Sequence, residues 1–134
     1  MRLLPPMLVL ITVFANAPAL AQMNKFVAPS WADTIQNPLK GNSSAAVQGK
    51  ITYLKYCAPC HGDKGKGDGV AAAGLSKSPA DHTSAVIQKQ TDGAFYWMIM
   101  AGNNPMPNYK GVLTNNQVWE LVDYIRTLSK TNKK

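Results

Sequence analysis

Apolar residues recur at the spacing of an α-helix in three segments of the chain, and the last segment is the clearest. Its apolar positions return every three or four residues at Val118, Leu121, Val122, Ile125 and Leu128. Thr114, followed three residues later by Gln117, predicts a capping box at the start of this segment. We therefore predict a helix that opens at Thr114 and ends near Ser129.

The other two predicted helices are shorter. One runs from about Ala45 to Cys57 and places its larger aliphatic residues on one face, namely Val47, Ile51 and Leu54. The other runs from about Asp92 to Ala101, with Thr91 or Asp92 as N-cap and a stop at Gly102. Its dense apolar surface includes Phe95, Trp97, Met98, Ile99 and Met100, and both methionines are expected to fill the core. Strand signals are weak throughout, so we predict an all-α fold.

The first 21 residues have the pattern of a secretory signal peptide. Arg2 supplies a positive start, a mostly apolar stretch runs from Leu3 to Phe14, and Ala19-Leu20-Ala21 forms an A-x-A cleavage site. The alternative is an uncleaved membrane anchor, which is disfavoured because the stretch is short for a bilayer and is interrupted by prolines. We therefore expect a periplasmic protein.

The rest of the chain has the length of a single domain. Cleavage after Ala21 would leave 113 residues. Residues 22–44 contain prolines and few periodic apolar positions, so we interpret them as an extended N-terminal lead that Trp31 and Ile35 hold against the body. The domain itself is assigned to residues 45–129, and residues 130–134 form a short basic tail.

The most specific chemistry lies in the C-x-x-C-H string from Cys57 to His61. In an exported protein this string is the attachment site of a c-type haem. The thiols of Cys57 and Cys60 would form thioethers with the porphyrin vinyl groups, and His61 would be an axial ligand of the iron. The chain contains only two cysteines, so the haem would use both of them.

Two other interpretations of the string are weaker. A thioredoxin-like dithiol should follow a buried strand, whereas this motif follows a predicted helix and runs into the glycine-rich and lysine-rich loop GDKGKGDG. A zinc site would have to recruit Cys57, Cys60, His61 and His82, but the adjacent Cys60 and His61 are poorly placed to bind one small ion together with Cys57.

An iron bound to His61 needs a second axial ligand or keeps an open site, and Met106 is the best candidate for that ligand. Pro105 and Pro107 hold it on a stiff loop. A thioether is a weakly basic donor that favours ferrous iron relative to imidazole, so it raises the reduction potential. The alternative is that Met106 is an ordinary core or turn methionine.

The chain resembles small bacterial class I cytochromes c over roughly residues 44–128. The resemblance is carried by GKITYLKYCAPCHGDKGKGDG and then NNPMPNYKGVLTNNQVWELVDYIRTL, in the order helix, C-x-x-C-H, glycine-rich loop, Met-Pro loop and closing helix. It implies three main helices around one covalently bound haem c. Cys57 and Cys60 match the thioether cysteines of the family, His61 the proximal ligand and Met106 the distal ligand.

The resemblance also implies details of packing around the haem. The first and last helices should cross closely, with Gly49 and Tyr53 facing Leu121 and Tyr124. Pro79 is the candidate for the proline whose carbonyl accepts the ring N–H of His61. His82, in a polar loop, is expected to be solvated. Trp97 and Tyr109 either pack against the porphyrin or belong to the ordinary core.

These residues favour electron transfer over catalysis. An iron with two protein ligands has no vacancy for a substrate, and the scattered acidic residues suggest no catalytic constellation. We expect a diffusible one-electron carrier between redox partners. The alternatives are a haem c subunit of a larger oxidoreductase and, less favoured, a haem protein that binds a small ligand.

Charge indicates the kind of partner. Loss of Arg2 with the leader leaves 13 basic and 7 acidic residues, a formal charge of +6 before the haem propionates are counted. Lysines expected around the haem are Lys64, Lys66, Lys77, Lys89 and Lys110. They could steer redox proteins with acidic docking surfaces, or simply keep the protein soluble. We expect a monomer with no nucleic-acid target, since the basic residues are dispersed, and no stable membrane insertion after the leader is removed.

Overall fold

This computed structural model describes residues 26–129 of the chain. These residues fold into five α-helices and two short 3₁₀ helices. The α-helices are α1 (Ser43–Tyr56), α2 (Ala58–His61), α3 (Ala85–Gln88), α4 (Asp92–Ala101) and α5 (Asn115–Leu128). The 3₁₀ helices are Ser30–Thr34 and Ala72–Gly74. Residues 26–129 contain no β-strand, which confirms the all-α prediction. The predicted signal peptide and basic tail lie outside the described residues.

The ends of the three long helices follow from their capping residues. Thr91 caps α4 by accepting a hydrogen bond from the backbone N–H of Ala94, and Thr114 and Gln117 form the predicted capping box of α5. α1 begins two residues earlier than predicted. The side chain of Asn42 accepts from the first backbone N–H groups there and so sets the start at Ser43.

Helices α1 and α5 cross so closely that Gly49 is required at the contact. A Cβ atom at Gly49 would lie 1.9 Å from the backbone oxygen of Glu120 and 3.0 Å from Cβ of Tyr124. Beside it, the ring centroid of the fully buried Tyr53 lies 5.0 Å from that of Tyr124. The crossing implied by the family resemblance is therefore present.

The face of α1 that packs on α5 does not carry the bulky aliphatic residues from which the buried face was predicted. Val47 and Ile51 are each 61% exposed and Leu54 is 42% exposed, while Ala45 and Gly49 are buried. The two backbones approach too closely for large aliphatic side chains at the crossing, so Ala45 and Gly49 occupy it and Tyr53 packs beside it. A pattern based on bulky apolar residues therefore selects the wrong face of this helix.

The segment before α1 packs against α4, but not through Trp31. Trp31 is 57% exposed, whereas Ala32 is fully buried and Ile35 packs against the core. The contact is close to the backbone, since a Cβ atom at Gly93 would lie 2.0 Å from the carbonyl oxygen of Ala32. The prediction was right for Ile35 and wrong for Trp31.

The core is formed mainly by α4 and α5, with Tyr53 of α1 and Tyr109 beside them, and it includes the α5 residues that the apolar pattern predicted. Buried on α5 are Val118, Leu121, Val122, Ile125 and Leu128, as expected. On α4, Met98 is buried and Met100 packs against the core. None of the helices in residues 26–129 is long and apolar enough to span a bilayer.

Candidate haem site

The C-x-x-C-H string lies on a single helical turn at the end of α1. Cys57 joins α1 to α2, and its carbonyl oxygen accepts hydrogen bonds from the backbone N–H groups of Cys60 at 3.2 Å and His61 at 2.8 Å. Gly62, with φ of 77°, ends the turn in a conformation that favours glycine. Both cysteines and the histidine are therefore presented within one turn.

The two cysteines are free thiols in the described structure. Burial raises the pKa of the Cys57 thiol to about 12, and the neighbouring Cys60 adds to the shift. A C-x-x-C redox enzyme needs the opposite, because its attacking cysteine has a lowered pKa and reacts as a thiolate. The environment of Cys57 therefore argues against the thioredoxin-like alternative.

One ring nitrogen of His61 donates a hydrogen bond, and the other keeps an unshared electron pair. Nδ1 lies 3.0 Å from the carbonyl oxygen of Ala80. A carbonyl oxygen can only accept, so Nδ1 carries the proton and Nε2 keeps its lone pair. Burial lowers the pKa of His61, which favours this neutral form. A neutral imidazole with a free Nε2 is what a metal requires.

The carbonyl that accepts from His61 belongs to Ala80, so the choice of Pro79 was wrong by one residue. The carbonyl of Pro79 faces Gly67 instead, where a Cβ atom would lie 2.6 Å from its oxygen. Successive carbonyls of an extended chain point in different directions, and only the fold decides which one meets the imidazole.

His82 is buried, contrary to the prediction that it is solvated. It is 8% exposed, and its ring stacks on that of His61 with a centroid distance of 4.1 Å and an interplanar angle of 17°. Burial, together with the neighbouring His61, lowers the pKa of His82 to about 3. The polar sequence around His82 gives no sign of this burial, which depends on where the loop lies against α1.

The loop that carries Met106 is connected to the same end of α1. Asn103 and Met106 exchange two backbone hydrogen bonds of 2.9 Å, so the Met-Pro segment is a closed turn. Tyr109 follows this turn and is buried, and its hydroxyl donates to the carbonyl oxygen of Tyr56 at 2.9 Å. This bond ties the Met106 loop to the residue directly before Cys57, a link that the sequence did not reveal.

The aromatic residues considered for porphyrin contact lie in different settings. Tyr109 has the buried position and the hydrogen bond just described, and its ring centroid lies 6.0 Å from that of Tyr56. Trp97 is partly buried on α4, and its ring centroid lies 5.8 Å from that of Phe26. Both pack on the core, and no contact in the described residues tests their predicted role beside a porphyrin.

The donor set fits a c-type haem. Two free thiols and a neutral imidazole share one turn, and a thioether lies on a loop bonded to the start of that turn. Residues 44–125 match the family model described as cytochrome c oxidase, cbb3-type, subunit III, over more than half of the chain. The chain belongs to this cytochrome c family. Membership implies haem c and a role in electron transfer.

Two solved structures resemble this cytochrome c. A chain of the reducing HAO-like protein complex of Kuenenia stuttgartiensis is 28% identical with a TM-score of 0.54, over 65% of this chain and 44% of that one. The KustC0563 c-type cytochrome is 29% identical with a TM-score of 0.52, over 60% of this chain and 95% of that one. This cytochrome thus spans less than half of the first chain. No curated protein matches it significantly.

Proposed function

We propose that this cytochrome c is a periplasmic monohaem carrier that passes single electrons between redox partners. Cys57 and Cys60 would hold the haem by thioethers, His61 would bind the iron through Nε2, and Met106 would supply the second protein ligand. When bound, the haem supplies a one-electron couple. The observation that carries the proposal is the position of the Met106 loop, which Tyr109 ties to the carbonyl of Tyr56 beside the motif.

The surrounding residues suit a carrier. Two ligands on restrained backbone limit the change of geometry when an electron arrives, and they leave no coordination position for a substrate. His61 is fixed by Ala80, and Met106 lies in a closed turn. Both restraints keep the energy needed to reorganise the site small, which favours fast transfer.

The first experiment tests attachment, haem number and export together. The full chain is expressed with haem-maturation machinery, and the mass of the periplasmic product is measured. We expect a chain that begins at Gln22 and carries one haem that stays attached in acidified organic solvent. Loss of the haem into the solvent, or a mass with another number of haems, would contradict the proposal.

The role of Met106 is tested with Met106→Leu, which removes the sulfur and roughly keeps the volume. We expect a lower reduction potential, loss of the sulfur-to-iron charge-transfer band and rapid carbon monoxide binding to the ferrous protein, because the iron loses its second ligand. Met98→Leu is the matched control, since Met98 is buried in the core of α4. An unchanged charge-transfer band in Met106→Leu would exclude Met106 as a ligand.

A subunit role is the second candidate, and the structural comparison favours it in one respect. One similar chain, 28% identical, is part of a reducing HAO-like protein complex. Size-exclusion chromatography and co-purification from the native periplasm separate the two cases. A free species of low molecular mass supports the carrier, whereas persistent association with a catalytic protein supports the subunit.

A further inference from the structure

Two neighbouring groups of one loop contact the imidazole of His61 from different directions. The carbonyl oxygen of Ala80 meets the ring edge at Nδ1, 3.0 Å away. The ring of His82, two residues later, covers the face, with centroids 4.1 Å apart and planes 17° from parallel. The edge contact is a hydrogen bond, and the face contact is a stack of flat rings.

The two contacts restrain different motions. A single hydrogen bond fixes the distance from Nδ1 to its acceptor but leaves the imidazole free to turn about the N–H···O line. A flat group packed on the face opposes that turn, because rotation would push the edges of the two rings together. We propose that His82 is a positioning residue that sets the ring plane of His61. The proposal rests on the role proposed above for His61 as an iron ligand.

His82 is itself held firmly enough for this role. Its backbone N–H donates to the carbonyl of Gly65 at 2.6 Å, and its carbonyl accepts from Nε2 of Gln88 at 2.6 Å. A Cβ atom at Gly65 would lie 3.1 Å from Cβ of His82, so glycine at position 65 lets the loop approach closely. The backbone of His82 is therefore fixed from two sides.

The side chain of His82 is fixed by Tyr53 on α1. The hydroxyl of Tyr53 lies 3.2 Å from the carbonyl of Gly62 and 3.3 Å from Nδ1 of His82. Its only proton goes to Gly62, since a carbonyl cannot donate, so the hydroxyl oxygen accepts from Nδ1 of His82. A continuous set of contacts thus runs from the α1–α5 crossing through Tyr53 and His82 to His61.

The orientation of an axial imidazole has measurable consequences for the metal. The hydrogen bond at Nδ1 raises the basicity of Nε2, which favours ferric iron. Without the stacked ring the imidazole can also tilt off the N–H···O line, so the bond to the Ala80 carbonyl weakens and Nε2 becomes less basic. Removal of the stacked ring should therefore raise the reduction potential and give the ferric iron several ligand orientations.

The test compares His82→Leu with His82→Phe in the haem-loaded protein. Leucine removes the flat ring, whereas phenylalanine keeps a ring without the bond to Tyr53. Each variant is examined by redox titration and by electron paramagnetic resonance of the ferric state. We expect His82→Leu to raise the potential and to broaden or split the low-spin signal. We expect His82→Phe, which keeps the stacked ring but not its bond to Tyr53, to change both clearly less than His82→Leu does.

Tyr53→Phe is the second variant, to be used if His82→Leu does not fold. It leaves both stacked rings and removes the hydroxyl, so we expect a signal that is broadened less than in His82→Leu. Wild-type potential and signal in His82→Leu, or in Tyr53→Phe where only that variant folds, would overturn the inference. An equal shift in His82→Phe and His82→Leu would also overturn it. Failure of the proposed function is distinct, because the wild-type protein itself would then lack attached haem or His61 ligation.

Discussion

At the scale of single residues, Asp123 carries an electrostatic cost for the fold. Its Oδ2 atom is buried and has no hydrogen-bond partner among the described residues, while Oδ1 accepts from Asn37 at 2.7 Å. The nearby cation Arg126 is bonded at 2.7 Å to Asp92 instead. Burial raises the pKa of Asp123, and the Asn37 bond opposes the shift. The ionised carboxylate therefore costs stability near neutral pH.

We expect Asp123→Asn to stabilise the protein at pH 7 by about 1 kcal/mol, because the substitution removes a buried charge that lacks a full set of hydrogen-bond partners. An asparagine oxygen can still accept from Asn37, and the charge is gone. The raised pKa means that the folded state binds the proton more tightly than the unfolded chain. Asp123 therefore contributes most to the stability of the fold at pH values below its ordinary pKa. This contribution is lost as the pH rises through the raised pKa of the folded state.

Urea unfolding at several pH values measures this effect. The advantage of Asp123→Asn should be present at pH 7 and shrink as the solution is acidified. Glu120→Gln is the control, because it removes a carboxylate from the more exposed side of the same helix. The side-chain amide of Asn116 donates a hydrogen bond to this carboxylate. Lower stability of Asp123→Asn at pH 7 would show that the ionised carboxylate is favourable in the fold.

The positions of site residues could be predicted where the spacing of those residues along the sequence determines them. Cys57, Cys60 and His61 must share one turn to serve one porphyrin, so the string itself reports their placement. The acceptor at Ala80 and the burial of His82 depend on how a separate loop lies against that turn. Such contacts leave no periodic or spacing signal in a single sequence, and for this reason both were missed.

At the scale of helices, the close crossing of α1 and α5 depends on the absence of a Cβ atom at Gly49. A Cβ atom at Gly49 would overlap the carbonyl oxygen of Glu120, a backbone atom that cannot rotate away. We expect Gly49→Ala to cost about 3 kcal/mol, the upper part of the usual range for an overpacked core. The higher helix propensity of alanine offsets only about 1 kcal/mol.

Gly74→Ala is the matched control for Gly49→Ala, since a Cβ atom there meets nothing within 4 Å. Thermal unfolding of the haem-loaded protein, followed by far-ultraviolet circular dichroism, compares the two variants with the wild type. Equal unfolding temperatures for Gly49→Ala and Gly74→Ala would mean that α1 and α5 can separate at little cost.

Helix ends were more predictable than helix faces. Capping residues act locally, so Thr91, Gly102 and Thr114 marked the observed ends of α4 and α5. The buried face of α1 depends on its partner, because the crossing selects Ala45 and Gly49 for their small size. The short helices α2 and α3 were not predicted, since a segment of four residues is too short to show a helical repeat.

At the scale of the whole molecule, the glycine-rich loop places charged side chains of both signs beside the motif, the lysines Lys64 and Lys66 between Asp63 and Asp68. The backbone N–H of Gly67 donates to the carbonyl of His61 at 2.8 Å, and that of Gly69 donates to Cys60 at 3.1 Å. Lys64 and Lys66 are exposed on this loop. The loop is thus fastened to the turn that carries His61, and its lysines are exposed beside that turn.

We expect oxidation of the ferrous protein by ferricyanide, a small anion, to slow as ionic strength rises, because salt screens exposed charges over about 8 Å at 0.15 M. Charge reversal at Lys64 and Lys66 to glutamate should slow the reaction more than reversal at Lys40 and Lys50, which are exposed before and within α1. Both pairs change the net charge equally, so stopped-flow rates isolate the effect of position. Equal slowing by the two pairs would assign the steering to net charge and leave the loop without a special role in docking.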